Sequence, residues 1–272
     1  MLETLAFGFG SLLVLLLGDH GLRRMFGHPD ETSPSRRLLH SARVFAMFLL
    51  AATLATSCRR GEHLGEDLLW MAVFGGAGLA AFELALVVGL SPLRGLVAAA
   101  RDGNLAAATA VTAHTVALGL LVANVFGGHS VDELLLAVVS FGIGQASLLL
   151  LLALFRLLTA YDDREQMLGG NVAAALAHGG LTVALALVIA HATDGPYTGP
   201  WPALRDYGIA LAEGLLVWPL RQLVVQCVIL REAPRLHGGA LDRAIGETGD
   251  VGAGALEAAT YLAAALFVGG LA

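Results

Sequence analysis

The sequence predicts an all-α integral membrane protein of about eight transmembrane helices arranged as four parallel two-helix repeats. Composition comes first: hydrophobic residues make up 57% of the 272-residue chain and charged residues only 14%, with a mean hydropathy of +0.74. Soluble domains hold about 45–50% apolar and about 25% charged residues. The second observation is segment length. A membrane span needs about 20 mainly apolar residues, and such runs occur at 2–18, 38–57, 68–90, 104–126, 132–159, 171–192, 206–230 and 250–271. The third is repetition. Gly103 to Ala123 (GNLAAATAVTAHTVALGLLVA) returns without a gap at Gly170 to Ala190 (GNVAAALAHGGLTVALALVIA), about 67 residues on, and more loosely from Asp250 as DVGAGALEAATYLAAALFVGG. That period exceeds the 20–50 residues of solenoids.

Each span has its own signature. The first carries Phe7-Gly8-Phe9-Gly10, has no basic region before it and no convincing small-x-small site after it, so it reads as a retained helix rather than a signal peptide. The second, RRLLHSARVFAMFLLAATLA, is a degenerate copy of the Gly-Asn stretch. The third opens its repeat with Phe74-Gly75-Gly76-Ala77 and contains Glu83; the fifth has Phe141-Gly142-Ile143-Gly144 and Gln145. The seventh has Tyr207-Gly208-Ile209-Ala210, then Glu213, Gln222 and a Trp218-Pro219 pair that predicts a kink. The fourth, sixth and eighth are the three copies described above. Each unit is an aromatic-Gly helix followed by a capped, Ala-rich helix, over residues 1–60, 61–127, 128–194 and 195–272 of one transmembrane domain. Because each unit crosses twice, successive units share a topology.

Arginine supplies the orientation, since cytoplasmic loops retain positive charge. Loops inside the hairpins hold Arg23, Arg24, Arg36, Arg37, Arg94, Arg101, Arg164, Arg231, Arg235 and Arg243; those between hairpins hold Arg59, Arg60 and Arg205. The hairpin loops are therefore expected in the cytoplasm and both termini outside it. Arg156 and Arg221 fall near span ends and are expected to snorkel. The Pro- and Gly-rich segment 192–202 reads as an ordered external loop. Cys58 and Cys227 form no metal motif and no expected disulfide, and a net charge of -6 is not that of a nucleic-acid binder.

Two groups of residues could carry function. Asn104, Asn171 and Asp250 precede helical runs, where a side-chain oxygen can accept from the first free N–H groups; the alternative is an anion or phosphate headgroup held at converging helix N-termini. Deeper lie Glu83, Glu213, Glu257, His114, His178, Gln145 and Gln222. Ionisable groups are expensive in a bilayer and mark pathways or paired interior sites, while polar groups also serve as interhelical glue. The acids are candidate proton or cation sites and His178 a proton relay. The segment holding Glu213, the kink and Gln222 is the first place to look for a cavity. Haem ligation by His114 and His178 is disfavoured: at ten and seven residues past their caps they differ by about 4.5 Å in depth. No catalytic array, metal motif or cofactor site emerges, and the chain is not expected to be an enzyme.

The Gly-Asn or Asp turn, the Ala-rich helix with Thr and Gly, and the preceding aromatic-Gly helix resemble the YjfL-like bacterial membrane family of unknown function, most clearly at Gly103 to Ala123 and Gly170 to Ala190 and fairly at Asp250 to Gly270. The resemblance implies a bacterial inner membrane and no established activity. The expected function is transport or permeation of a small solute or ion through a polar interior; the alternative is a non-transporting scaffold or accessory subunit that binds another membrane protein or a second copy. Membrane lipids are the expected surroundings in either case. A transporter would face its acids into a common hydrated cavity, whereas a scaffold would pair them singly in a dry interior and leave a small-residue face open.

Overall fold

Unbroken apolar runs of about 20 residues, free of internal proline over most of their length, can satisfy their backbone in hydrocarbon only as helices, and the chain takes that form. A computed structural model describes residues 2–25, 33–61, 63–90, 93–193, 197, 199–233 and 238–270. Arg235, residues 194–196 and 198 of the 192–202 loop, and the side chains of Arg23 and Arg24 lie outside the described residues. The elements are α1 (Leu2–Met25), α2 (Pro34–Ser57), α3 (Leu64–Gly89), α4 (Arg94–Arg101), α5 (Leu105–Val125), α6 (Val131–Arg156), α7 (Asp163–Leu168), α8 (Val172–Ala192), α9 (Pro200–Gly214), α10 (Val217–Gln222) running into a π-helical segment (Leu223–Ile229), α11 (Ala240–Gly246) and α12 (Val251–Gly269). No strand occurs among the described residues. Seven helical segments are long and apolar enough to cross a membrane; α1 contributes a shorter apolar stretch, Phe7–Gly21.

The repeated sequence builds the centre. α2, α5, α8 and α12 pack side by side in that order, and burial grades with position: 67% and 78% of the apolar windows of α5 and α8 are buried, against 28% and 33% for α3 and α6. Small residues allow this. A side chain on Gly119 would collide with Ala46, one on Gly179 with Ala113, and one on Gly180 with Ala258, the close approach that small residues permit between helices in lipid. The contacts also give direction. Ala46 meets Gly119 and Ser57 meets Gly127; Ala173 meets Gly254 and Ala258 meets Gly180. Ala113 lies beside Gly179, and Asn124 donates to the Ala190 carbonyl at 3.0 Å. Numbers rise together in every pair, so the four central helices run parallel.

Three short helices, α4, α7 and α11, come just before α5, α8 and α12, and each ends in a positive-φ glycine: Gly103, Gly170 and Gly249 at 103°, 87° and 65°. In the first two, the glycine N–H bonds three residues back (Gly103 to Ala100, Gly170 to Met167) and the following Asn N–H bonds five back (Asn104 to Ala99, Asn171 to Gln166). This is a Schellman ending. The same Asn then caps the next helix: Ala107 N–H donates to Asn104 Oδ1 at 3.0 Å and Ala174 N–H to Asn171 Oδ1 at 3.1 Å. Asp250 caps α12 through Gly252 and Ala253. The Gly-Asn signature is therefore the C-terminus of one helix fused to the N-terminus of another, and the three short helices are features that the apolar runs did not predict.

The Trp218-Pro219 kink is present. α9 breaks at Leu215 and Leu216, and α10 passes into π-helical winding with Leu230 N–H bonded to the Val225 carbonyl five residues back. Proline removes one donor and crowds the carbonyl four residues earlier. Both cysteines are free thiols; burial raises the Cys58 pKa.

Candidate functional site

Each central helix carries a buried or half-buried Arg, His or Glu within its first three turns. Arg43 and His114 lie ten residues beyond the caps Ser33 and Asn104; His178 and Glu257 lie seven beyond Asn171 and Asp250. All four therefore sit toward the side where the short helices lie. They belong to three separate clusters.

In the first cluster Arg43 donates to Asp19 Oδ1 at 2.9 and 2.7 Å through Nε and Nη2 and also pairs with Glu83. It ties α1, α2 and α3 together, with its guanidinium 5.8 Å from the centre of the Phe82 ring. In the third cluster Arg221 of α10 pairs with Glu257 of α12, donates to Gln222 and lies 5.2 Å from the centre of the Tyr261 ring. Arg221 is 4% exposed, so it does not snorkel: the kinked helix aims it inward, where Glu257 offsets the cost of burying its charge. A buried pair of this kind adds little net stability, but removal of one member strands the other.

The middle cluster differs in that two of its side chains, His114 and Gln145, have no hydrogen-bond partner at any polar atom among the described residues. His114 of α5 and His178 of α8 line one chamber of about 160 Å³ with Gly89, Leu93, Leu149, Leu152, Ala153 and Arg156. His114 is 1% exposed, and among the described residues neither ring nitrogen has a hydrogen-bond partner; both ends of the Gln145 carboxamide are likewise unpartnered among them. His114 Nε2 and Gln145 Nε2 both point at Gly89, where an added Cβ would come within 2.7 and 2.8 Å of them. Gly89 thus leaves room for the ends of both side chains. His178 Nδ1 stands 3.6 Å from Asp163 Oδ2, an ion-pair distance rather than a hydrogen bond, and Arg156 Nε is 4.0 Å from the same oxygen. Unpaired buried polar groups cost several kcal/mol in total, at about 1–3 kcal/mol each, and the chamber has room for several waters or one small polar solute.

The depth mismatch of the two histidines proves smaller than equal cap levels would give. Ala113 packs beside Gly179, which shifts α5 by one residue relative to α8 and leaves His114 about 3 Å deeper than His178. Beyond them the interior is apolar, with Leu118, Leu148, Leu185, Ile189 and Phe126 fully buried. The chamber thus lies toward the short-helix side and is closed on the other. Next to this side Tyr161, in the link from α6 to α7, packs on Gly246, and burial drives its hydroxyl pKa upward.

Among the residues singled out from sequence, His114, His178 and Gln145 come together. Glu83 and Glu257 lie apart, each with an arginine. Gln222 is buried beside Arg221, whereas Glu213 is exposed on α9 in a cleft of about 470 Å³ with Leu216, Pro219, Leu220, Leu223, Phe267 and Val268. The kink and Glu213 do share a cleft; Gln222 does not line it. Sequence reasoning missed Asp19, Arg43 and Asp163. Arg43 was legible as the sixth residue of the second apolar run, but its partners come from other helices.

No curated protein and no solved structure matches the chain. Residues 129–272, from just before α6 to the end and including His178, Arg221 and Glu257, match the model described as Domain of Unknown Function (DUF350), and the chain belongs to that family.

Proposed function

We propose that the chain is a bacterial inner-membrane protein that passes a small ion or polar solute, holding it at the His114–His178 chamber. The observation that carries this reading is the set of unpartnered, deeply buried polar groups around a chamber large enough to hold their missing partner. In this reading α1 is an eighth span, the chain comprises four parallel hairpin repeats of the YjfL-like type, the arginine-rich short-helix face is cytoplasmic, and both termini lie outside. Asp163 and Arg156 guard the mouth of the chamber, His178 passes a proton or ligand inward, and the apolar layer at Leu118 and Leu148 must part for passage. Glu83 and Glu257, each ion-paired with arginine, hold helices in register.

A second reading is a non-transporting scaffold for another membrane protein. It is favoured by those two individually paired acids and by Gly10, Gly76, Gly142 and Gly208, where an added Cβ would meet nothing within 4 Å, so that the outer helices keep small residues open for a partner. Flux separates the two. Purified protein in liposomes loaded with a pH-sensitive dye, then with dyes for small inorganic ions, should conduct at least one of them, and His178→Ala should lower that flux at least tenfold while the protein elutes unchanged. Wild-type flux no greater than that of protein-free liposomes would remove the transport reading and leave the scaffold.

A further inference from the structure

A second cavity, of about 900 Å³, lies between α2, α3, α4 and α5 and is separate from the histidine chamber. On α3 its wall is a single stripe, Gly76, Ala80, Val87 and Leu90 among others, spaced at three, four and seven residues so that one helix face supplies it. From Gly76 to Leu90 the stripe is about 21 Å long at 1.5 Å per residue, matching one monolayer of a bilayer whose full thickness with headgroups is about 40–45 Å. The groove is open sideways, since Val87 on its rim is 73% exposed. Its two ends differ in chemistry. The Gly76 and Ala80 end is apolar, whereas the α4 end carries Arg94 and Arg101, two turns apart on one face and both lining the cavity. Neither arginine has an ion-pair partner among the described residues. Between the ends Glu83 reaches the wall, paired with Arg43, so the lining holds three arginines against one carboxylate.

We propose that this groove binds one anionic phospholipid, its phosphate at Arg94 and Arg101 and an acyl chain lying along α3 to Gly76. Arginine suits phosphate because its planar donors can make paired hydrogen bonds. An arginine at a membrane interface attracts any anionic headgroup, so what distinguishes a built site is dependence on the tail end of the groove as well as the head end. At Gly76 an added side chain would meet nothing within 4 Å, leaving the apolar end free for a chain.

The test is native mass spectrometry of the full-length protein in detergent, with phosphatidylglycerol or phosphatidylcholine added. The site requires that phosphatidylglycerol be retained at least tenfold more than phosphatidylcholine. Arg94→Gln with Arg101→Gln, both exposed positions, should remove that preference. Ala80→Phe, or the milder Ala80→Leu should the larger side chain lower thermal stability, should reduce retention at least tenfold with both arginines in place. Equal retention of the two lipids would overturn the proposal. So would full retention in both Ala80 variants, which would mean headgroup contact at the interface only, or displacement by millimolar inorganic phosphate, which would mean a site for the free anion.

Discussion

Asn104 and Asn171 do two jobs with one side chain. Their Oδ1 atoms cap α5 and α8, while their amides point to the next unit: Asn104 Nδ2 donates to the Met167 and Leu168 carbonyls at 3.1 and 3.0 Å, and Asn171 Nδ2 to the Ile245 carbonyl at 2.8 Å. Each cap thus staples the last turn of the following short helix, α7 or α11. Asp250 caps α12 with a carboxylate, which has no donor to offer a neighbouring carbonyl. Asparagine and aspartate both cap, and only asparagine adds a donated bond, a difference the sequence displayed without its consequence. Asn171→Asp should keep the cap and lose the staple, at about 1–2 kcal/mol for a buried carbonyl left without its donor, whereas Asp250→Asn should change stability by less than about 0.5 kcal/mol. Thermal unfolding of the two purified variants in one detergent checks this; equal losses would mean that the amide contact holds nothing.

At the scale of helices, glycine sorts by position. Gly254 begins α12 against the backbone of Ala173, where an added Cβ would stand 2.7 Å from Cα, and backbone cannot swing aside as a side chain can. Gly142, on outward-facing α6, would meet nothing. Gly254→Ala should therefore cost about 1–3 kcal/mol by forcing α8 and α12 apart, while Gly142→Ala should be neutral or stabilise by up to about 1 kcal/mol, because glycine weakens a helix interior. Urea or thermal unfolding of the pair reads the difference, and a neutral Gly254→Ala would place the α8–α12 contact elsewhere. The aromatic-Gly motif divides: Gly8, Gly75 and Gly144 abut Ala55, Leu54 and Ile189, while Gly10, Gly76, Gly142 and Gly208 stay open. Apolar runs alone revealed the long helices, since length and hydropathy are local properties. The short helices were hidden because six to eight residues with several charges look like a loop, and their amphipathic character has meaning only once α5 and α8 supply the surface they cover.

For the whole molecule, the long apolar helices were legible in the sequence and the polar clusters between them were not, because an ion pair between α2 and α3 or α10 and α12 depends on which faces meet. His114 and His178 show the limit: counting from caps gave their depth on each helix, but the one-residue offset between α5 and α8 and the gap at Gly89 bring them to one chamber. That chamber straddles the boundary of the family match. His178, Arg156 and Asp163 belong to residues 129–272, whereas His114 and Gly89 come from the preceding half. The seam between halves is the α5–α8 contact, with Asn124 donating to Ala190 and Thr193 at one end and Asn104 stapled to α7 at the other. Most of the surface α8 buries faces other central helices, so the second half made alone would expose a long Ala- and Gly-rich face and two polar ends. Expressed as two chains cut in the Gly127–Gly128 turn, the halves should therefore reassemble in the membrane and copurify through a tag on either one. Asn104→Ala and Asn124→Ala together should weaken that copurification at least several-fold, since both ends of the seam lose their amide donors. Copurification unaffected by the double substitution would show that small-residue packing alone holds the halves, and failure of the wild-type halves to copurify would mean that the seam needs the covalent link.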